Sequence, residues 1–170
     1  MFGKALGNGY AITAIIGRRE IMEEAQSTFI SSTFWTERIG PAAALKTLEV
    51  MEKVRSWEQI TTYGKRIKEL WRRLAEEHNL TIQQFGLPAL CCFNFESKDS
   101  QAYKTLITQE MLKAGILAGN SVYVSTAHDG QMLERYGEEL NKIFGLISEC
   151  EAGRDIKTLL QGPICHSGTS

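Results

Sequence analysis

The residue types best suited to chemistry stand at the beginning of the chain. Lys4 lies in Gly3-Lys4-Ala5-Leu6-Gly7-Asn8-Gly9-Tyr10, where three glycines fall within seven residues. Glycines let a ligand approach the backbone closely, and Asn8-Gly9 marks a tight turn because both residues tolerate positive φ. A lysine amine forms a Schiff base with an aldehyde once a pocket lowers its pKa. The plainer reading is a solvated lysine, the common state of that residue. The fragment is not a nucleotide-binding loop, which needs its lysine at the end of a longer glycine-spaced run and followed by Ser or Thr.

Other reactive types are placed less suggestively. Cys91, Cys92, Cys150 and Cys165 lack the paired spacing of a zinc site and the density of a disulfide framework, so free thiols are expected and no metal site. Cys91 and Cys92 are adjacent in a strand-like run and should face opposite sides as small hydrophobes. His128 precedes a helix cap and His166 lies in the tail, and lone histidines in such places are usually structural. Arg18, Arg19 and Arg38 form no recognisable carboxylate clamp. The basic run Lys65, Arg66, Lys68 and Arg72 reads as a solvated helix face, with Glu69 and Arg73 in the favourable order for an i,i+4 pair.

Bulk composition narrows the function. The 170 residues carry 19 Lys+Arg against 20 Asp+Glu, a formal charge of -1, with 43% hydrophobic residues. This is the balance of a globular protein, and it provides no field to gather nucleic acid or anionic lipid. No apolar run approaches the roughly 20 residues of a membrane span, and no signal peptide opens the chain, so a cytoplasmic location is expected.

The elements that must position these groups follow from periodicity. Ala11 to Ile16 is a short β-branched run, either a strand or a buried segment. A polar stretch follows, and Ser27 to Arg38, dense in hydroxyls and aromatics, reads as an ordered loop. Pro41 fits the first position of a helix running to about Val54. Ile60, Tyr63, Ile67, Leu70, Trp71 and Leu74 make one face of a helix between Trp57 and His78. Short strands are expected over Thr81–Phe85 and Ala89–Phe95, separated by Gly86-Leu87-Pro88. Asp99 or Ser100 should cap a helix that stops at Gly115, and Ser121–Ser125 alternates like a strand. Asp129 should cap a final helix with the stripe Leu133, Tyr136, Leu140, Ile143, Phe144 and Ile147. The tail from Glu151 is expected to be irregular. The order helix, two strands, helix, strand, helix over residues 54–150 suits a small α+β layer structure.

Taken together, Gly3 to Tyr10, Ala14, and Gly17-Arg18-Arg19-Glu20-Ile21-Met22 resemble the cofactor-lysine segment of class III aminotransferases that use pyridoxal phosphate, most nearly the glutamate-1-semialdehyde aminomutase-like branch. The resemblance continues through Ser27 to Ala44, Ser125-Thr126-Ala127-His128 and Gly162 to Gly168, and so spans nearly the whole chain. Tyr10 is followed by Ala11 where the family often has proline. The resemblance implies an α/β chain equivalent to the C-terminal part of a fold-type I transferase. Residues 1–53 would end the large cofactor-binding domain, 54–150 would form the small C-terminal α+β domain, and 151–170 the tail.

By the same resemblance, Lys4 corresponds to the Schiff-base lysine, and a hydroxyl of Thr33 or Thr36 reaches the cofactor phosphate of a neighbouring subunit. It implies a homodimer acting on a small-molecule amino donor and a carbonyl acceptor, as an aminotransferase or as an aminomutase working within one substrate. Most phosphate-holding, ring-stacking and acidic residues of the family precede the lysine, so the alternative is a non-catalytic module.

Overall fold

A computed structural model describes residues 1–30 and 33–166. The described chain divides into two compact units, Met1–Ser56 and Trp57–Ser170. Among the described residues no helix is long and apolar enough to cross a membrane.

In the first unit, Phe2 and Ala14 exchange backbone hydrogen bonds of 2.7 and 2.8 Å and close the glycine-rich loop at its base. That single bridge is all the pairing found in Ala11 to Ile16, which is therefore not a strand. The polar stretch after it holds a helix, α1 (Arg19–Glu23), running into a 3-10 turn at Glu24–Ser27. Its residues are good helix formers, although it is too short to show a period. A turn over 33–36 leads to α2 (Ile39–Val54). This helix begins two residues before Pro41, because the Glu37 carboxylate accepts from the Ile39 and Gly40 amides, the latter at 3.1 Å. Proline costs nothing there, since the first four helical N–H groups have no partner within the helix. The buried Gly40 lets the helix start meet the loop: a Cβ there would lie 2.7 Å from the Ala11 carbonyl oxygen.

The second unit is built on α3 (Ser56–Glu77), followed by β1 (Ile82–Phe85), β2 (Leu90–Phe95), α4 (Ser100–Lys113), β3 (Ser121–Tyr123) and α5 (Gly130–Glu151). The sheet is antiparallel in the order β1-β2-β3, with Ile82 opposite Phe95 and Leu90 opposite Tyr123. This is the order of elements that periodicity gives, with β3 two residues shorter. The alternation of β2 buries Cys91, Phe93 and Phe95 on the side of the core and leaves Leu90 and Asn94 exposed on the other. Cys91 is thus a core residue, and burial raises its thiol pKa. All four cysteines are free.

Trp71 of α3 packs on Phe93, with ring centroids 4.6 Å apart, and its indole N–H donates to the Tyr136 hydroxyl of α5 at 2.8 Å. Phe95, Tyr103 and Phe144 extend the cluster through edge-on contacts. Gly64 lets α3 lie directly on the β1–β2 turn, where a Cβ would fall 1.9 Å from the Pro88 carbonyl oxygen.

Several local expectations change. Asp129 caps α5 as expected, its carboxylate accepting from the Met132 amide at 2.8 Å. Asp99 occupies the cap position of α4 without a side-chain capping bond. Glu69 pairs with Arg72, not Arg73; Arg72 also reaches Glu76 at 2.5 Å, and Arg73 meets Glu77 at 3.6 Å. Arg72 sits between two carboxylates and takes the better geometry. Lys68 is not simply solvated, since its ammonium holds the Gly86 carbonyl oxygen at 2.7 Å. The tail contains a short 3-10 turn, Ile156–Thr158, and is tied to α4 through Gln109 and Thr105, which accept from the Gln161 and Cys165 amides.

Two substitutions report on this core. Gly64→Ala forces α3 away from the β1–β2 turn and should destabilise the second unit by about 1–3 kcal/mol in urea unfolding. Tyr136→Phe leaves the Trp71 indole N–H buried without an acceptor and should cost about 1–3 kcal/mol in the same measurement. A neutral result for both would mean that these contacts are not tight.

Candidate functional site

Lys4 stands two residues after Phe2 of the Phe2–Ala14 bridge and opens a one-turn 3-10 helix, Lys4–Leu6. Its carbonyl oxygen accepts from the Asn8 amide at 3.1 Å, and the Gly3 carbonyl accepts from Leu6 at 3.0 Å. Gly7 is the tight point of the loop, for a Cβ there would stand 2.1 Å from the Tyr10 carbonyl oxygen. Only glycine fits. Lys4 itself has φ +46°, in the left-handed region that L residues seldom occupy. Strain of this kind costs on the order of 1–3 kcal/mol and tends to gather where a side chain is held for a purpose. The Lys4 side chain is exposed, and its amine has neither ion-pair nor hydrogen-bond partner among the described residues.

Thr33 and Thr36 lie in the turn that leads into α2, and both are exposed. The Glu37 amide donates to the Phe34 carbonyl at 2.8 Å to close that turn, and Trp35 within it has φ +41°. Neither threonine hydroxyl bonds to its own backbone or to any described residue. This is not the usual fate of a turn hydroxyl, which satisfies itself locally, as Ser27 and Thr28 do through the Glu24 and Ala25 carbonyls. The structure places Lys4, Thr33 and Thr36 in the same unit, and α2 packs against the Lys4–Leu6 turn. No hydrogen bond joins the lysine to either threonine among the described residues.

A free amine for an aldehyde and unpartnered hydroxyls for a phosphate are donors of the right kind for pyridoxal phosphate. The described residues near them supply no acid within bonding distance of Lys4 and no enclosure of it. Sequence reasoning missed Glu37, whose carboxylate fixes the end of the Thr33–Thr36 turn against α2. The signal was an acidic residue immediately before a helix start, where the dipole favours it.

His128 has a structural role. Its Nδ1 accepts from the Ser125 amide at 3.1 Å, and its ring stacks on Tyr63 with centroids 5.6 Å apart. His166 makes no hydrogen bond or ion pair with any described residue.

Comparison with known proteins brings in the rest. Residues 1–130 match the family profile of class-III aminotransferases. The 3-aminobutyryl-CoA aminotransferase of Cloacimonas acidaminovorans is 31% identical over 81% of this chain and 33% of that protein. A glutamate-1-semialdehyde 2,1-aminomutase of Methanocaldococcus jannaschii is 23% identical over 84% of this chain and 37% of its own length. The chain therefore spans little more than a third of these relatives. The solved structure of a Sphingopyxis FumI protein in its pyridoxal phosphate internal aldimine form aligns with a TM-score of 0.76 at 22% identity, covering 93% of this chain and 39% of that one. A transaminase with pyridoxal phosphate bound aligns at 0.72 and 20% identity, over 89% and 38%. These likenesses establish the α/β fold, and this chain covers 39% and 38% of the two neighbours. With the profile extending over both the lysine loop and most of the helical unit, the chain belongs to the class-III aminotransferases.

Proposed function

We propose that this chain is the cofactor-lysine part of a pyridoxal phosphate-dependent aminotransferase, with residues 1–53 ending the large domain, 54–150 forming the small C-terminal domain and 151–170 the tail. The observation that carries the reading is the Lys4 loop. A lysine within the residues that match the family profile is held at φ +46° with an exposed amine that bonds to nothing else among the described residues.

The Lys4 amine would hold the cofactor through its aldehyde as a Schiff base, and once freed by a substrate amine its Nζ would be the base that takes the proton from the substrate α-carbon and returns it elsewhere. The cofactor, when bound, serves as the electron sink for that carbon. Thr33 or Thr36 offers a hydroxyl to the cofactor phosphate, and neither has to give up an existing bond to do so.

An amine must shed its proton before adding to a carbonyl, and apolar walls are what favour that. Lys4 stands open in this chain, so the reading assigns the walls to a further polypeptide surface. Phe29, ahead of the two threonines in sequence, and Trp35, between them, are 96% and 83% exposed and are large apolar side chains suited to burial there. A homodimer in which each subunit's hydroxyl-rich turn serves the other's cofactor fits these exposed residues, in a cytoplasmic enzyme taking a small-molecule amino donor and a carbonyl acceptor.

A second reading is amino transfer within one substrate, as in an aminomutase. It uses the same lysine chemistry and is favoured by the aminomutase relative, of which the chain covers 37%. If nothing encloses Lys4, the chain is instead a non-catalytic module.

The test is to incubate the purified chain with pyridoxal phosphate, reduce with borohydride and locate the label by mass spectrometry. Label concentrated on Lys4 and abolished in Lys4→Ala supports the reading. Label scattered over surface lysines such as Lys65 and Lys113, unchanged in Lys4→Ala, favours the module. Thr33→Ala and Thr36→Ala should be compared in the same experiment, and the one that serves the phosphate should lower Lys4 labelling about tenfold, the weight of a charge-assisted hydrogen bond.

A further inference from the structure

The second unit holds a groove of about 500 Å³ between α3, the loop that enters β3, and the start of α5. Its floor is apolar, formed by Ile67, Ile116, Val122 and Leu133, and no aspartate or glutamate lines it. The groove on the other side of α3 and α5 is different in kind, for Glu69, Glu77, Glu134 and Glu138 line it among basic residues.

Besides hydroxyls, the polar side chains of the apolar groove are Arg135 and His128, and both offer N–H donors. Arg135 gives one guanidinium N–H to the Ala114 carbonyl at the end of α4 and has no carboxylate partner among the described residues. Its neighbour one turn on, Glu139, is taken by Lys142 at 2.7 Å. A guanidinium carries five N–H donors, so the helix-end contact leaves most of them unused. His128 accepts the Ser125 amide at Nδ1, which leaves Nε2 as the N–H of the neutral ring. The groove is also stiff at one end, where the Tyr63 hydroxyl donates to the Asp129 carbonyl and the tyrosine ring stacks on His128.

An apolar floor under an uncompensated cation, with no acid to compete, selects a ligand that is apolar at one end and anionic at the other. We propose that this groove is a binding site for an apolar monocarboxylate, with the hydrocarbon on Ile67, Ile116, Val122 and Leu133 and the carboxylate on Arg135. The site belongs wholly to the Trp57–Ser170 unit, so it stands or falls independently of the chemistry at Lys4.

The probe is 3-phenylpropionate, with 3-phenylpropan-1-ol as its neutral counterpart, added to the isotope-labelled full chain and followed by two-dimensional NMR. The acid should saturate with a Kd on the order of millimolar, as suits a ligand of its size. Shifts should concentrate on residues 115–123 and 128–136, and the alcohol should bind about tenfold more weakly, the weight of a charge-assisted hydrogen bond. Arg135→Gln should lower the acid to the alcohol's affinity while leaving the alcohol unchanged, and Arg135→Lys should restore part of the difference. A residue that only finished α4 would alter thermal stability and not this acid-to-alcohol ratio. Equal binding of acid and alcohol, shifts centred on another face, or no saturation at 10 mM, about ten times the expected Kd, would each overturn the proposal.

Discussion

The second unit depends on one buried contact, the Trp71 indole lying on Phe93 with its N–H given to the Tyr136 hydroxyl. Three elements meet there: α3 supplies the indole, β2 the ring beneath it, and α5 the acceptor. An indole brings a large apolar area and one N–H that must be paired when buried, so it fixes its partners in position as well as in kind. The same demand sets the spacing of the surrounding elements. Gly64 lets α3 come down onto Pro88, and Gly137 lets α5 approach the Leu70 side chain to within 3.2 Å of where a Cβ would be. With α3 and α5 drawn together on one face of the sheet, Phe95, Tyr103 and Phe144 close the remainder. Burial there holds the Tyr136 phenol protonated well beyond the usual range, so the contact is insensitive to ordinary changes of pH.

The first unit is organised by other means. Its only buried hydrophobic residue among those described is Ala44, and it is held by a two-residue bridge, glycine contacts and a carboxylate cap. Backbone hydrogen bonds to close a loop are worth little net when water competes for the same groups. The strain of Lys4 and Trp35 at positive φ therefore draws on little local reserve. The unit bearing the candidate chemistry is thus the one with the less hydrophobic core, and its apolar side chains face outward. This pattern fits a segment whose rigidity comes from burial against another surface.

How far these features could be read in the sequence depends on the range of the interaction behind them. The stripes of α3 and α5 and the alternation of β2 were legible because an amphipathic period is written locally, and Asp129 could be named as a cap because its partner is three residues away. Asp99 shows the limit of that rule, since a capping residue in the right place made no capping bond. The pairing of Arg72 with both Glu69 and Glu76 depended on rotamers, which spacing does not fix. The Tyr63–His128 stack and the anchoring of the tail on Gln109 join residues more than fifty positions apart, and nothing local marks them. Lys4 differs from all of these. Its glycine setting suggested close approach to a ligand, but the particular chemistry came from resemblance, and the structure adds the strained φ and the free amine, which no propensity would have indicated.

The two grooves beside α3 show how helix register sorts charge without any change in composition. On α5, Glu134 and Glu138 are four residues apart and so share a face, which turns them together toward the charged groove. Arg135 is one position on from Glu134, about 100° around the helix axis, and so faces the apolar groove. Its natural i+4 partner is Glu139, but that carboxylate has Lys142 three residues further on. Arg135 turns instead to the carbonyl end of α4, where a cation is favoured by the helix dipole. A carbonyl can satisfy a hydrogen bond of a guanidinium but cannot neutralise its charge. The groove therefore keeps a positive rim over an apolar floor, and this imbalance follows from the order of residues Glu134 to Lys142 along α5.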